Sequence, residues 1–187
     1  MPIFIISKMK LIVISHPTIF PNEHRVIESL FENGLEIFHI HKQNFSEQEI
    51  QNYIQQFPQK YNNRIFLHSQ FPKFHSLKEL EECKEKYEYA FLSPIFDSIS
   101  KKDYKSNFDL QELKRKFPLL LGEGQGGVIA LGGIDESKIE TCRQLGFAGV
   151  AVLGALWNSP PNLGGDTGVV EKFKRIKEKC QKKDLVF

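Results

Sequence analysis

Tyr89-Ala90-Phe91-Leu92-Ser93-Pro94-Ile95-Phe96-Asp97-Ser98-Ile99-Ser100-Lys101 begins apolar and aromatic and turns polar near its middle. The apolar half is too short for a helix and has no polar alternation, so it reads as a strand covered on both faces. Pro94 has no N–H to give to a ladder and pushes Ser93 toward extended backbone, so pairing should end there. The polar half then offers two hydroxyls and an ammonium, Ser98, Ser100 and Lys101, at the carboxyl end of the strand. Such groups can hold an anionic oxygen. A plain Ser/Lys-rich surface loop is the alternative.

Working outward, strand and helix signals alternate along the chain. Leu11–Ser15, Leu35–Lys42 and Ile65–His68 read as strands before this one, Val128–Leu131 and Gly149–Leu153 as strands after it. Between them, Asn22 is placed to cap a helix over 23–33 that Gly34 stops. Ser46-Glu47-Gln48-Glu49 and Ser76-Leu77-Lys78-Glu79 have the form of capping boxes. A helix is expected near 110–117, another over 136–145 capped by Asp135 and ended by Gly146, and a last one over 169–180. Parallel returns need crossovers, so this repeat predicts a parallel sheet with helical cover. Gly132-Gly133 and Gly154 follow the last two strands, where a closed (β/α)8 barrel commonly builds a phosphate site. Glycines there let backbone N–H groups approach an oxyanion, or simply turn the chain. Gly122, Gly124 and Gly127 match the spacing of a dinucleotide fingerprint, but a strand follows them where a helix should, so they read as a connector.

The 187 residues suffice for one domain with a full core, and 41% hydrophobic and 26% charged residues are ordinary for a globular protein. A formal charge of +2 gives no case for a nucleic-acid partner, and the basic residues from Lys172 to Lys183 form one face of an amphipathic helix. Cys83, Cys142 and Cys180 show no metal-binding spacing, and their odd number points to a reducing, cytoplasmic setting. No apolar run reaches membrane-spanning length. Residues 1–8 read as an N-terminal extension and 9–187 as a single domain.

Three segments together resemble the thiamine phosphate synthase/TenI family. Ser93–Lys101 resembles its Gly-Pro-Ile-Phe-x-Thr-x-Thr-Lys loop, Val128–Ile134 its Ala-Ile-Gly-Gly-Ile strand end, and Gly146–Val152 its Gly-Ala-Asp-Gly-Val-Ala-Val strand. The resemblance implies a (β/α)8 TIM-type barrel that joins an aminopyrimidine diphosphate to a thiazole phosphate, releasing pyrophosphate with Mg2+. Ser98, Ser100 and Lys101 would then bind pyrophosphate, with Lys101 taking part in catalysis. Gly132, Gly133 and Gly154 would bind the thiazole phosphate.

The chain departs from this pattern in three places. The family's Gln-x-Arg-x-Lys on the second strand is replaced by His39, His41 and Gln43, leaving Lys42 and a protonated His41 to supply charge. The family's Asn-Asp after the third strand, whose aspartate binds magnesium, is His68-Ser69, and the segment with the second magnesium aspartate has no counterpart. Magnesium wants hard oxygen ligands, which histidines do not replace. From Ile65 to Tyr89 the chain is short by roughly 25–30 residues, so one βα unit is expected to be missing between residues 69 and 88. The strand edges so exposed would favour self-association.

His75, in Phe74-His75-Ser76-Leu77, matches the acid–base histidine of TenI-like thiazole tautomerases. The sequence therefore supports a synthase, impaired where magnesium ligands are lost, a tautomerase, or a silent barrel that binds a phosphorylated heterocycle. His16, His39, His41, His68 and His75 all fall near strand ends, which makes a transition-metal cluster a further, weaker expectation.

Overall fold

The computed structural model describes residues 8–99, 105–106, 108–121, 126–158 and 167–182. Ser100, Lys101 and Gly122–Gly124 lie outside the described residues, as does most of the expected N-terminal extension.

Among the described residues, seven strands alternate with helices except between β3 and β4: β1 (Lys10–Ile14), α1 (Glu23–Glu32), β2 (Ile37–Ile40), α2 (Glu47–Ile54), β3 (Ile65–Leu67), β4 (Lys73–Phe74), α3 (Leu77–Glu82), β5 (Tyr89–Leu92), α4 (Leu110–Leu120), β6 (Gly127–Ala130), α5 (Ile139–Leu145), β7 (Gly149–Val152), α6 (Gly154–Trp157) and α7 (Thr167–Gln181). Every ladder is parallel, and the order is β3-β2-β1-β7-β6-β5-β4. The sheet curls strongly. Three strands separate β2 from β5 in that order, yet His39 Nε2 lies 2.6 Å from Tyr89 Oη across the interior.

Side-chain alternation sorts the two faces. Ile12, Ile14, Tyr89, Phe91, Ile129 and Ala151 meet in a small inner core. Leu11, Val13, Phe38, Ile40, Ala90, Leu92, Val128, Ala130, Val150 and Val152 point outward into the larger core beneath the helices. The strands are apolar on both faces because both are covered, as the opening stretch suggested. Pairing of β5 ends at Leu92, and the chain turns through Ser93-Pro94.

The order ends at β3 and β4, so the seam of the barrel falls between Leu67 and Lys73. Residues 69–88 build β4 and α3, and the described residues carry seven strands rather than eight. Residues 68–72 cross the seam directly, and Phe71 drops inside to stack on Tyr89 with ring centroids 4.3 Å apart.

The helix starts follow the expected capping residues only in part. Ser46 and Glu49 form the expected box. Ser76 accepts from the Glu79 N–H, but the Glu79 carboxylate takes the His75 N–H instead of closing the box. Asn22 sits in left-handed backbone and gives no side-chain cap. Asp135 binds the N–H and hydroxyl of Ser137, so the helix begins later, at Ile139.

Candidate active site

The carboxyl ends of the strands surround a cavity of about 220 Å³, lined from six strand ends and the loops that leave them. Its polar groups come from His41, His68, Lys73, Ser93, Ser98 and the glycine backbone of Gly132, Gly133 and Gly154. Ile14, Leu131 and Leu153 supply an apolar floor. No carboxylate lines it among the described residues.

The glycine pair is built by close packing. Gly132 has φ +92° and Gly133 φ +66°, and a Cβ on Gly133 would stand 2.3 Å from the Asp97 carbonyl oxygen. The loop after β5 thus lies directly on the glycine turn, fixed by Ile95 N–H to Leu131 O and Phe96 N–H to Gly132 O. Ser106 ties the same loop down, its hydroxyl 2.8 Å from the Ile95 oxygen and its N–H donating to Asp97 Oδ1. Ile99 then reaches over the mouth, where its carbonyl accepts from the Asn158 side chain. No backbone hydrogen bond engages the N–H of Gly132 or Gly133 among the described residues, which leaves both as donors at the cavity wall.

The six expected histidine and lysine positions separate. His41 lines the mouth, its backbone N–H held by the Ser15 hydroxyl at 2.9 Å and its ring 5.2 Å from that of His68. His39 lies one layer deeper and fully buried. His75 turns away. Its Nδ1 is 2.9 Å from the Ser93 carbonyl oxygen, and it borders an outer groove between α3 and α4. His16 is engaged with Thr18 and packs edge-on against Phe20. No group of three or more metal-ligating side chains comes together among the described residues.

Lys42 is also drawn away from the cavity. Its ammonium is buried against Glu23, 2.6 and 2.8 Å from the two carboxylate oxygens, and donates to the His16 and Thr18 carbonyls. Burial pushes the Glu23 carboxyl up and the Lys42 ammonium down, and the bond between them opposes both shifts. This pair pins the loop after β1 at the rim.

Lys73 is the cation that the sequence reading passed over. It lies on a strand of two residues, pointing to the opposite face from buried Phe74, and lines the mouth beside His41 and His68. Desolvation there pulls its pKa down. The signal was alternation: with Phe74 in the outer core, its neighbour must face the interior.

His68 and His39 are held neutral. Burial lowers His39 to about 4 and His68 to about 3, with the Lys73 charge and the neighbouring imidazoles adding to the His68 shift. The mouth is thus rich in donors, has one described lysine, and is walled by apolar side chains. That arrangement suits an anionic, oxygen-rich ligand.

A family model described as thiamine monophosphate synthase matches residues 74–156. Among solved structures, a thiamine phosphate pyrophosphorylase from Bacteroides thetaiotaomicron is similar over 91% of this chain and 97% of its own, with 28% identity and a TM-score of 0.76. One from Pyrococcus furiosus shares 16% identity over 94% and 96% of the two chains, with a TM-score of 0.70, and supports the fold alone. A comparison with curated proteins finds no match. Among the described residues no helix is long and apolar enough to cross a membrane.

Proposed function

We propose that this chain, matched over residues 74–156 by the thiamine monophosphate synthase model and similar to a solved thiamine phosphate pyrophosphorylase, is a thiamine phosphate synthase/TenI-type protein that couples hydroxymethylpyrimidine diphosphate to a thiazole phosphate. One observation carries the reading: a mouth of about 220 Å³ at the strand ends, lined by hydrogen-bond donors and a lysine and by no described carboxylate. In this coupling the C–O bond to pyrophosphate breaks with its electron pair leaving on oxygen. The thiazole nitrogen then supplies the pair for the new C–N bond. Catalysis consists of receiving a departing anion and holding the nucleophile in line.

Lys73 and Ser98 stand where they could take the pyrophosphate, joined in this proposal by Ser100 and Lys101 from the segment outside the described residues. Gly132, Gly133 and Gly154 would receive the thiazole phosphate. His41 is the mouth group that would protonate the leaving oxygen. Lys42 acts by fixing the rim.

The described lining does not fit a magnesium site, because it offers imidazole, hydroxyl and amide groups where the ion wants carboxylate oxygens. No step is therefore assigned to the ion, and turnover should be slow, since a metal normally contributes several kcal/mol at such a leaving group. We read the seven-strand count as a barrel that has lost one βα unit, together with the second magnesium aspartate, the first being replaced at His68-Ser69. The setting proposed is cytoplasmic biosynthesis with small phosphorylated substrates.

The tautomerase reading rests on His75, and the placement of its ring in the outer groove disfavours it. The test is pyrophosphate release from the two precursors, with and without magnesium, beside a tautomerase assay on the same sample. Slow, magnesium-independent release abolished by Lys101→Ala is the expected result. Tautomerase activity lost in His75→Ala, without synthesis, would replace this reading.

A further inference from the structure

Three polar side chains run in line through the barrel interior toward the mouth. Tyr89 Oη is 2.6 Å from His39 Nε2, and His39 Nδ1 is 3.2 Å from His68 Nδ1. Tyr89 is 1% exposed, His39 0% and His68 4%. His68 lines the cavity, and its Nε2 is the ring nitrogen that the line leaves over.

Counting hydrogens fixes the direction. One hydroxyl and two neutral imidazoles carry three, and each of the two hydrogen bonds holds one of them. If Tyr89 donates, His39 accepts at Nε2 and must carry its own hydrogen at Nδ1. That hydrogen goes to His68 Nδ1, so His68 is protonated at Nε2. In the reverse arrangement His68 donates from Nδ1, His39 donates from Nε2 to Tyr89, and the Tyr89 hydroxyl hydrogen finds no acceptor among the described residues. A buried O–H without a partner makes the reverse arrangement the costlier one. Protonation of either imidazole, which would blur this count, is suppressed by burial around both rings.

We infer that Tyr89 and His39 are positioning residues that lock His68 in its Nε2–H form, so that His68 offers a neutral N–H donor to an oxyanion in the mouth. The inference rests on the mouth being the substrate site and adds a binding residue to it. A neutral donor suits this place. Beside Lys73 a second cation would be repelled, whereas an N–H dipole strengthens the grip on a phosphate oxygen without adding charge. The selected ligand is one that presents a bare acceptor, a phosphate or diphosphate oxygen, and a ligand presenting an N–H or O–H at that point is rejected.

The experiment uses the full chain, inorganic pyrophosphate as probe, and the nitrogen-15 resonances of the histidine rings. His68 Nε2 should be of the protonated type between pH 6 and 8, a range in which its neutral form persists, and should shift when pyrophosphate binds. Tyr89→Phe should leave the fold intact and turn His68 into a mixture of both tautomers. His68→Phe should weaken pyrophosphate by about tenfold, the size of one hydrogen bond to a charged acceptor, while His68→Gln, which keeps an N–H in the same place, stays within about threefold. An unprotonated Nε2 in the wild type overturns the inference, as does pyrophosphate binding that His68→Phe leaves unchanged. A single tautomer retained in Tyr89→Phe would remove Tyr89 and His39 from it. Wild-type protein that binds no pyrophosphate would overturn the substrate-site reading itself, and the inference with it.

Discussion

Replacing Glu23 by Ala should be among the most damaging single changes available away from the cavity. The Lys42 ammonium is fully buried and has four oxygen partners: both Glu23 carboxylate oxygens at 2.6 and 2.8 Å, His16 O at 2.8 Å and Thr18 O at 3.1 Å. Without Glu23, two carbonyls remain and the counter-charge is gone. Removing one partner of a buried pair costs about 3–5 kcal/mol. At about 2–4 °C per kcal/mol for a chain of this size, melting should fall by on the order of 10 °C. Glu23→Gln keeps one acceptor oxygen and should lie at the low end. Lys42→Met should cost about as much as Glu23→Ala, because it strands a carboxylate instead of an ammonium. The double change Glu23→Leu/Lys42→Met should recover most of the loss, since a packed apolar pair avoids both desolvation costs. Urea unfolding with unchanged denaturant slopes measures all four proteins. Single variants within about 1 kcal/mol of wild type, adding without coupling, would refute the reasoning.

Three further outcomes are expected. His39 is held at about 4 and His68 at about 3 against an ordinary 6.5, so the unfolded chain takes up these protons first as pH falls; stability present above pH 6.5 should drain away toward pH 4, by roughly 3 kcal/mol from His39 with His68 adding a loss of the same sign. Urea midpoints at pH 7, 5.5 and 4.5 measure this, and His39→Phe should flatten the slope. Gly133→Ala forces a Cβ into left-handed backbone 2.3 Å from the Asp97 oxygen, so it should cost about 1–2 kcal/mol or more and dislodge the loop after β5. Calorimetry should show pyrophosphate binding lost, and full affinity would contradict the account of the glycine turn. Lys73→Met should weaken pyrophosphate by about tenfold with little change in melting. Because it removes a cation that opposes protonation, it should also raise the His68 pKa, a shift that ring-nitrogen titration would detect.

Much of the frame was legible because it is local. The apolar runs at 11–14, 89–92, 128–130 and 149–152, and the mostly apolar 37–40, announce strands, and Ser46 with Glu49 announces a helix start within four residues. The glycine turn at 132–133 was legible as a turn, and the loop from Ser93 to Ser98 as its neighbour in chemistry. What stayed hidden depends on distant partners. Lys42 resembled a mouth cation until Glu23, nineteen residues earlier, claimed it. His39 counted among the histidines near strand ends until alternation and the curl of the sheet placed it beneath His68, against Tyr89. Lys73 sits on a strand of two residues, so alternation assigns it a face only once Phe74 is placed in the outer core.

The seam between β3 and β4 has one more consequence, for how this chain can change length. Everywhere else in the ring, adjacent strands share a ladder, so inserting or deleting an element would tear one set of backbone hydrogen bonds before forming another. Across the seam no ladder exists among the described residues, and a five-residue link, His68 to Pro72, spans it. A complete strand and helix spliced in at this point would create new pairings at two free edges and break none. A cut there would sever the link while leaving β1–β3 and β4–β7 each joined through β1 and β7. The seam is therefore the position where a barrel of this kind can gain or shed a repeat, or receive new termini, at the smallest cost to its sheet.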